Sequence, residues 1–299
     1  MASRLIGSPV SRENENGMGM RERSFLGLGP AGFHKVAYTQ WGDGHNKRVL
    51  VCVHGLTRNG RDFDDVASAL SDRWQVLCPD MIGRGRSDWL TDAAMYNYAQ
   101  YLNDCVTLIA RSGATEVDWV GTSMGGLIGM TLAAQRNTPI CRLVLNDVGP
   151  FAPRVALERI RSYASKSPVF PDLAAAEMYL RKTSAAFFGP LTDGQWQQMA
   201  RHMTRPHPDG GYGLNYDLGV TAALQTEVLA DMDLWTVWEA VRCPVLVLRG
   251  QTSDVLTVET AKQMKTRGAE VVEIPDCGHA PALMNDHQIN LIRHFLTAA

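Results

Sequence analysis

Two apolar runs that do not alternate, Arg142-Leu143-Val144-Leu145 and Val245-Leu246-Val247-Leu248, constrain the fold of this chain more than any other feature. A strand with one wet face alternates apolar and polar residues, whereas a strand covered on both faces has no reason to. Further short β-rich runs recur from Lys35 onward, at Lys35–Trp41, Arg48–Val53, Trp74–Cys78, Val117–Val120, Cys141–Asn146, Pro244–Arg249 and Glu270–Ile274. Amphipathic stretches separate them, at Phe63–Leu70, Met95–Arg111, Gly125–Arg136, Val258–Arg267 and His287–Thr297. Strands and helices that alternate through right-handed crossovers predict an α/β domain, a doubly wound sheet with helices on both faces.

The rhythm breaks between Phe151 and Trp238, where no convincing strand is legible. Asp172 can cap a helix over Leu173–Thr183, and Thr192 with Gln195 forms a capping box ahead of Trp196–Met203. Eleven of the 23 aromatic residues fall in these 88 positions, where proportion would place about seven. An aromatic-rich helical insertion reads as a lid over a pocket, against the plainer reading of helices whose aromatics fill only their own core. The expected organisation is a polar N-terminal tail over 1–33, a core domain over 34–150 and 239–299, and a helical lid over 151–238.

Chemistry concentrates in Gly121-Thr122-Ser123-Met124-Gly125, which a strand pattern precedes and a helix pattern follows. A strand that turns abruptly into a helix strains its central residue, and side chains two positions either side would collide. The serine hydroxyl is then held at the sheet's C-terminal edge beside a helix N-terminus, where developing negative charge is favoured. A serine needs a base. Of eight histidines, His279 follows the last strand candidate and would open on the same sheet edge; His202 and His207 fall in the lid, His34 and His45 before the core, His287 and His294 on the C-terminal helix, and His54 in the loop after the Val49–Val53 strand. The imidazole in turn needs a carboxylate. Asp254, just past the Val245–Leu248 strand, gives the chain order Ser, Asp, His and is favoured; Asp147, past the Leu143–Leu145 strand, could reach the same place. Two oxyanion donors, each worth about 3–4 kcal/mol, are expected from the backbone N–H groups of Met124 and of Leu56 in His54-Gly55-Leu56-Thr57-Arg58. His54 reads as a structural residue that shapes this loop, and Arg58 as a cation at the pocket rim.

These residues, with Asp80-Met81-Ile82-Gly83-Arg84-Gly85-Arg86-Ser87-Asp88 and Gly278-His279, resemble the α/β-hydrolase superfamily from about Lys35 to the C-terminus. The resemblance implies an α/β-hydrolase fold with an eight-stranded, mostly parallel sheet, a helical cap between strands six and seven, and a Ser–His–Asp triad. It also implies that the Asp80–Asp88 stretch is a structural turn beside the site. Serine at the elbow departs from the haloalkane dehalogenases and epoxide hydrolases, and the single glycine after His54 departs from families with a multi-glycine oxyanion loop. Small carboxylesterases are the nearest match in character, beside carbon–carbon bond hydrolases of the meta-cleavage type. In the latter, Arg154, Arg181 or Arg205 would hold a substrate carboxylate. A ligand-binding protein that retains the triad is a third reading.

Composition excludes other classes. Twenty-nine basic and 31 acidic residues leave a net charge of −2, so no basic field exists for nucleic acid. Apolar runs such as Val49–Val53 are far short of the roughly 20 residues of a membrane span. The six cysteines include no Cys-x-x-Cys, and Cys52, Cys78, Cys141 and Cys243 lie in or beside apolar runs that read as buried strands. The first 24 residues lack the apolar centre of a secretory signal, so a cytoplasmic protein is expected. Gly27-Leu28-Gly29-Pro30-Ala31-Gly32 has dinucleotide-loop spacing, but no strand pattern precedes it and Pro30 offers no N–H. The expected ligand is a small-molecule substrate, with no cofactor and no metal.

Overall fold

The computed structural model describes residues 19–226 and 229–298. Eight strands form one sheet: β1 (Arg21–Gly29), β2 (Gly32–Trp41), β3 (Val49–Val53), β4 (Gln75–Pro79), β5 (Val117–Thr122), β6 (Ile140–Asn146), β7 (Val245–Gly250) and β8 (Glu270–Ile274). The spatial order is β1-β2-β4-β3-β5-β6-β7-β8. Strand β2 pairs antiparallel with β1 and β4, and the pairs from β4–β3 through β7–β8 are parallel. All five residues of β3 are buried, as are all six of β7, which is why neither alternates.

Two apolar clusters sandwich the sheet. One gathers Val51, Val53, Trp119, Leu143 and Val247 against helices α2 (Tyr98–Ser112), α3 (Met124–Ala133) and α7 (Val258–Thr266). The other gathers Leu50, Cys52, Val120, Val144 and Leu248 against α1 (Asp64–Leu70) and α8 (Asp286–Thr297). Successive residues of one strand divide between the two clusters, as the period of two in side-chain direction requires.

The expected tail over 1–33 is corrected for its described part. Residues 21–29 form edge strand β1, whose nine residues all pair with β2. Residues 1–18 lie outside the described residues. The glycine-rich Gly27–Gly32 stretch runs from the end of β1 through the two-residue Pro30–Ala31 turn to the start of β2, with Gly29 opposite Gly32. Cys141 and Cys243 are only partly buried, whereas Cys52 and Cys78 are fully buried, and all six thiols are free.

Residues 151–238 leave the sheet after β6 and rejoin it before β7. They hold α4 (Arg154–Ala164), α5 (Leu173–Phe188) and α6 (Asp193–Met203), the last with the Thr192–Gln195 capping box in place. The insertion is not purely helical. Short antiparallel pairings join Val169–Phe170 and Thr204–Pro206 to Tyr212–Leu214, and Phe151–Ala152 to Met232–Asp233. Among the contacts that fix it to the sheet, Ala152, Ala156, Ile160 and Ala164 share one apolar cluster with Val255, and the backbone of Gly85 donates to Asn215 O at 3.0 Å.

Candidate active site

Three parallel strands end at one rim of the sheet, and each delivers a reactive side chain there. Ser123 follows β5 with φ 51° and ψ −116°, a conformation non-glycine residues rarely hold. The flanking glycines are obligatory. A Cβ on Gly121 would sit 2.3 Å from Gly125 O, and one on Gly125 would sit 2.0 Å from Val53 O. The Ser123 carbonyl accepts from the N–H groups of Gly126 and Leu127, so helix α3 starts directly at the serine.

His279 follows β8. Its approach requires Gly250 at the end of β7, where a Cβ would lie 2.1 Å from Gly278 O. Ser123 Oγ donates to His279 Nε2 at 2.9 Å, and His279 Nδ1 donates to Asp147 Oδ2 at 2.7 Å. Asp147 is fully buried and sits just past β6 with φ 54°. Its Oδ1 accepts from the Gly250 N–H at 2.7 Å, and its Oδ2 also accepts from Ser253 Oγ at 2.6 Å. With both oxygens held by donors, the carboxylate presents one fixed face to the imidazole, and the proton on Nδ1 leaves Nε2 as the acceptor for serine.

The preference for Asp254 as the acid is overturned. Both its oxygens engage Arg159 of α4, at 2.5 Å to Nε and 2.7 Å to Nη2, and its side chain is 41 % exposed. Asp147 occupies the place beside His279 instead. The strands carrying the two carboxylates are neighbours, with Leu248 of β7 opposite Asn146 of β6, so a difference of one loop decides between them.

The loop after β3 is held from behind. The His54 imidazole is buried, donates from Nδ1 to Gly55 O at 2.7 Å and accepts the Met81 N–H at Nε2 at 2.9 Å. Burial, with the Arg84 charge second, lowers its pKa to about 3, so the ring stays neutral. Gly55 O also accepts the Arg58 N–H at 3.1 Å. In a trans peptide the carbonyl and the N–H point opposite ways, so anchoring Gly55 O turns the Leu56 N–H away from the interior. Met124 is the first residue of α3, where an N–H has no partner within its own helix. Leu56 and Met124 both border the cavity beside Ser123.

That cavity measures about 800 Å³ and lies between the sheet rim and the insertion. Ser123 and His279 open into it, and Tyr163, Tyr179, Phe187, Phe188 and Tyr216 of the insertion line it. Its arginines are Arg58 and Arg159. Arg58 forks onto Asp62 at 2.7 and 2.6 Å and stacks on Phe188, while Arg159 stacks on the adjacent Phe187. Arg154, Arg181 and Arg205 do not border it. They pair with Glu158, pair with Glu177 and Asp193, and stack on Trp89, respectively. Arg159 escaped the sequence reading. It is one of three arginines in a short polar helix, and only the fold shows which one turns inward.

The profile of the alpha/beta hydrolase family matches residues 50–290. Among curated relatives, the 3-hydroxybutyrate-oligomer hydrolase of Cupriavidus necator is 48 % identical over 91 % of this chain and 96 % of its own length. Lipase LipV of Mycobacterium tuberculosis is 30 % identical over 80 % of this chain and 89 % of its own. Among solved structures, an alpha/beta hydrolase from Novosphingobium aromaticivorans superposes with a TM-score of 0.84 at 34 % identity, covering 93 % of this chain and 98 % of that one.

Proposed function

Because the chain belongs to the alpha/beta hydrolase family, we propose that it hydrolyses carboxylic esters through an acyl-enzyme on Ser123, with oligomers of short hydroxy acids as its substrates. The observation that carries the reading is the hydrogen-bonded chain Ser123–His279–Asp147 at the floor of an aromatic-lined cavity.

Ser123 Oγ attacks the ester carbonyl carbon while His279 Nε2 takes its proton. Asp147 stabilises the imidazolium through Nδ1, and the N–H groups of Leu56 and Met124 receive the oxyanion. As the tetrahedral centre collapses, the carbon–oxygen bond to the alcohol breaks and His279 returns the proton to the departing oxygen. Water then attacks the acyl-enzyme with His279 as base, releasing the acid and restoring Ser123. Residues 151–238 act in this scheme as the cap that encloses the substrate.

Two facts support the substrate class. The Cupriavidus necator relative, matched over nearly its full length, is named for 3-hydroxybutyrate oligomers. A linear polyester of methyl-bearing units also suits a cavity whose walls are mostly apolar. Carbon–carbon cleavage is disfavoured because Arg154, Arg181 and Arg205 lie outside the cavity, and the two arginines that border it, Arg58 and Arg159, are already forked onto Asp62 and Asp254. The test is to incubate the protein with 3-hydroxybutyrate dimer and trimer, short p-nitrophenyl esters and a vinylogous diketo acid. Release of monomer from the oligomers, abolished in Ser123→Ala, is the expected result. Turnover surviving in Ser123→Ala, or confined to the diketo acid, would refute the proposal.

A further inference from the structure

Arg84 is the most deeply buried cation of the described residues, with no surface exposure, and no carboxylate forms an ion pair with it. A charge taken out of water normally acquires an opposite charge, because the desolvation cost is otherwise uncompensated. Arg84 has neutral partners instead. Nη1 donates to Ile82 O at 2.7 Å and to the Tyr101 hydroxyl at 2.8 Å, and the guanidinium stacks 5.0 Å from the Tyr101 ring centroid.

Its remaining two contacts fall on the two residues whose N–H groups face the reacting carbonyl in the scheme above. Nε donates to Leu56 O at 2.8 Å, and Nη2 donates to Met124 Sδ at 3.5 Å. Leu56 and Met124 belong to different strand ends, and one planar group fastens both from behind. The chain is built to deliver it there. Gly83 and Gly85 flank Arg84 at positive φ, and a Cβ on Gly85 would lie 2.4 Å from the Asp80 carboxyl, so the turn closes only with glycine. Asp80 in turn anchors the loop by accepting the N–H groups of Gly60 and Arg86.

We infer that Arg84 is a positioning residue of the oxyanion hole, setting the Leu56 and Met124 donors in register and biasing them with an unneutralised positive charge. This deepens the proposed function and rests on its assignment of Ser123 as nucleophile. A positive charge behind two N–H dipoles adds to the potential at the oxyanion and costs no reorganisation when negative charge develops there. The field of Arg84 is already felt on this loop, since it is the second cause, after burial, of the low His54 pKa. The neutral substrate carbonyl responds weakly to such a charge and the tetrahedral oxyanion strongly, so the effect belongs to kcat and not to KM.

The experiment compares Arg84→Met and Arg84→Lys with wild type on p-nitrophenyl butyrate, with Tm recorded for each. The expected outcome is a kcat lower by about a hundredfold in Arg84→Met and about tenfold in Arg84→Lys, with KM within about twofold. Unchanged kcat in Arg84→Met, or KM rising as far as kcat falls in both variants, overturns the inference and leaves Arg84 a purely structural residue. Should Arg84→Met not accumulate as folded protein, Arg84→Lys decides alone, by the same contrast between a fall in kcat at constant KM and any other result. Ser123→Ala assayed in parallel separates the two levels. Residual turnover there removes the nucleophile itself, whereas an inactive Ser123→Ala beside a fully active Arg84→Met removes only the role given to Arg84.

Discussion

Asp254 gives both its carboxylate oxygens to Arg159, on a helix of the insertion, and the acid that faces His279 is Asp147. The carboxylate after β7 has become a tie between core and insertion, and the carboxylate after β6 completes the hydrogen-bonded chain to the serine. Replacing each by asparagine separates these roles. Asp147→Asn is expected to lower kcat by about 10³–10⁴-fold, because the amide favours the wrong imidazole tautomer. Asp254→Asn, which loses a half-exposed pair worth about 1 kcal/mol, stays within about fivefold of wild type. Steady-state kinetics of the two variants check this, and the reverse ranking would restore Asp254 to the relay.

The same ion pair predicts how the insertion moves. With Arg159 released, α4 keeps its Ala152–Val255 seam but loses its polar anchor. Amide exchange across residues 154–164 should quicken severalfold in Asp254→Asn while β5 and β6 remain protected. Unchanged protection in α4 would mean that the apolar seam alone holds it.

Ser253 shares Asp147 Oδ2 with His279. Ser253→Ala removes one of the donors that hold the carboxylate and leaves the Gly250 N–H and the imidazole in place, so kcat should fall by about tenfold or less. A loss as large as that of Asp147→Asn would show that the hydroxyl is indispensable to holding the acid.

His54 links stability to pH. Its pKa is about 3 in the folded chain against 6.5 for an ordinary histidine. Above pH 6.5 the ring is neutral whether folded or not, and its contribution is whole. As pH falls from 6.5 toward 3, the unfolded chain takes up a proton that the folded chain refuses, so stability is lost. Between pH 7 and 5 wild type should lose about 2 kcal/mol more than His54→Asn, measured by urea unfolding. The buried carboxyls of Asp80, Asp104 and Asp118, whose pKa values burial raises, act in the opposite sense but equally in both proteins. Parallel pH dependence in the two proteins would contradict the neutral, doubly bonded His54.

What the sequence disclosed follows from locality. The strand–Gly-x-Ser-x-Gly–helix pattern and the non-alternating runs are dictated by contacts within a few residues of Ser123, Leu145 and Val247. Choosing between Asp147 and Asp254 was not local. Both follow buried parallel strands, and what separates them is Arg159, 95 positions before Asp254 in the chain. Strand β1 was hidden for another reason. Its inward positions include Gly27, where a Cβ would strike the buried His34–Asp104 pair at 2.4 Å, while Leu26 and Leu28 face outward. Phe25 is buried on the inward face, but past it the usual hydrophobic alternation is lost, with glycine inward and leucine outward. The two- and three-residue strands of the insertion are too short to carry any period, and only their partners define them.

In the proposed reaction Ser123 becomes covalently acylated, with Asp147 and His279 supporting the step. Intact-protein mass spectrometry on enzyme mixed with p-nitrophenyl butyrate and quenched in acid measures this directly, with the adduct mapped by proteolysis. One butyryl adduct on the peptide containing Ser123 is expected, absent in Ser123→Ala and greatly slowed in Asp147→Asn. Rapid turnover with no adduct on that peptide, or an adduct on another residue that persists in Ser123→Ala, would contradict the proposed acylation.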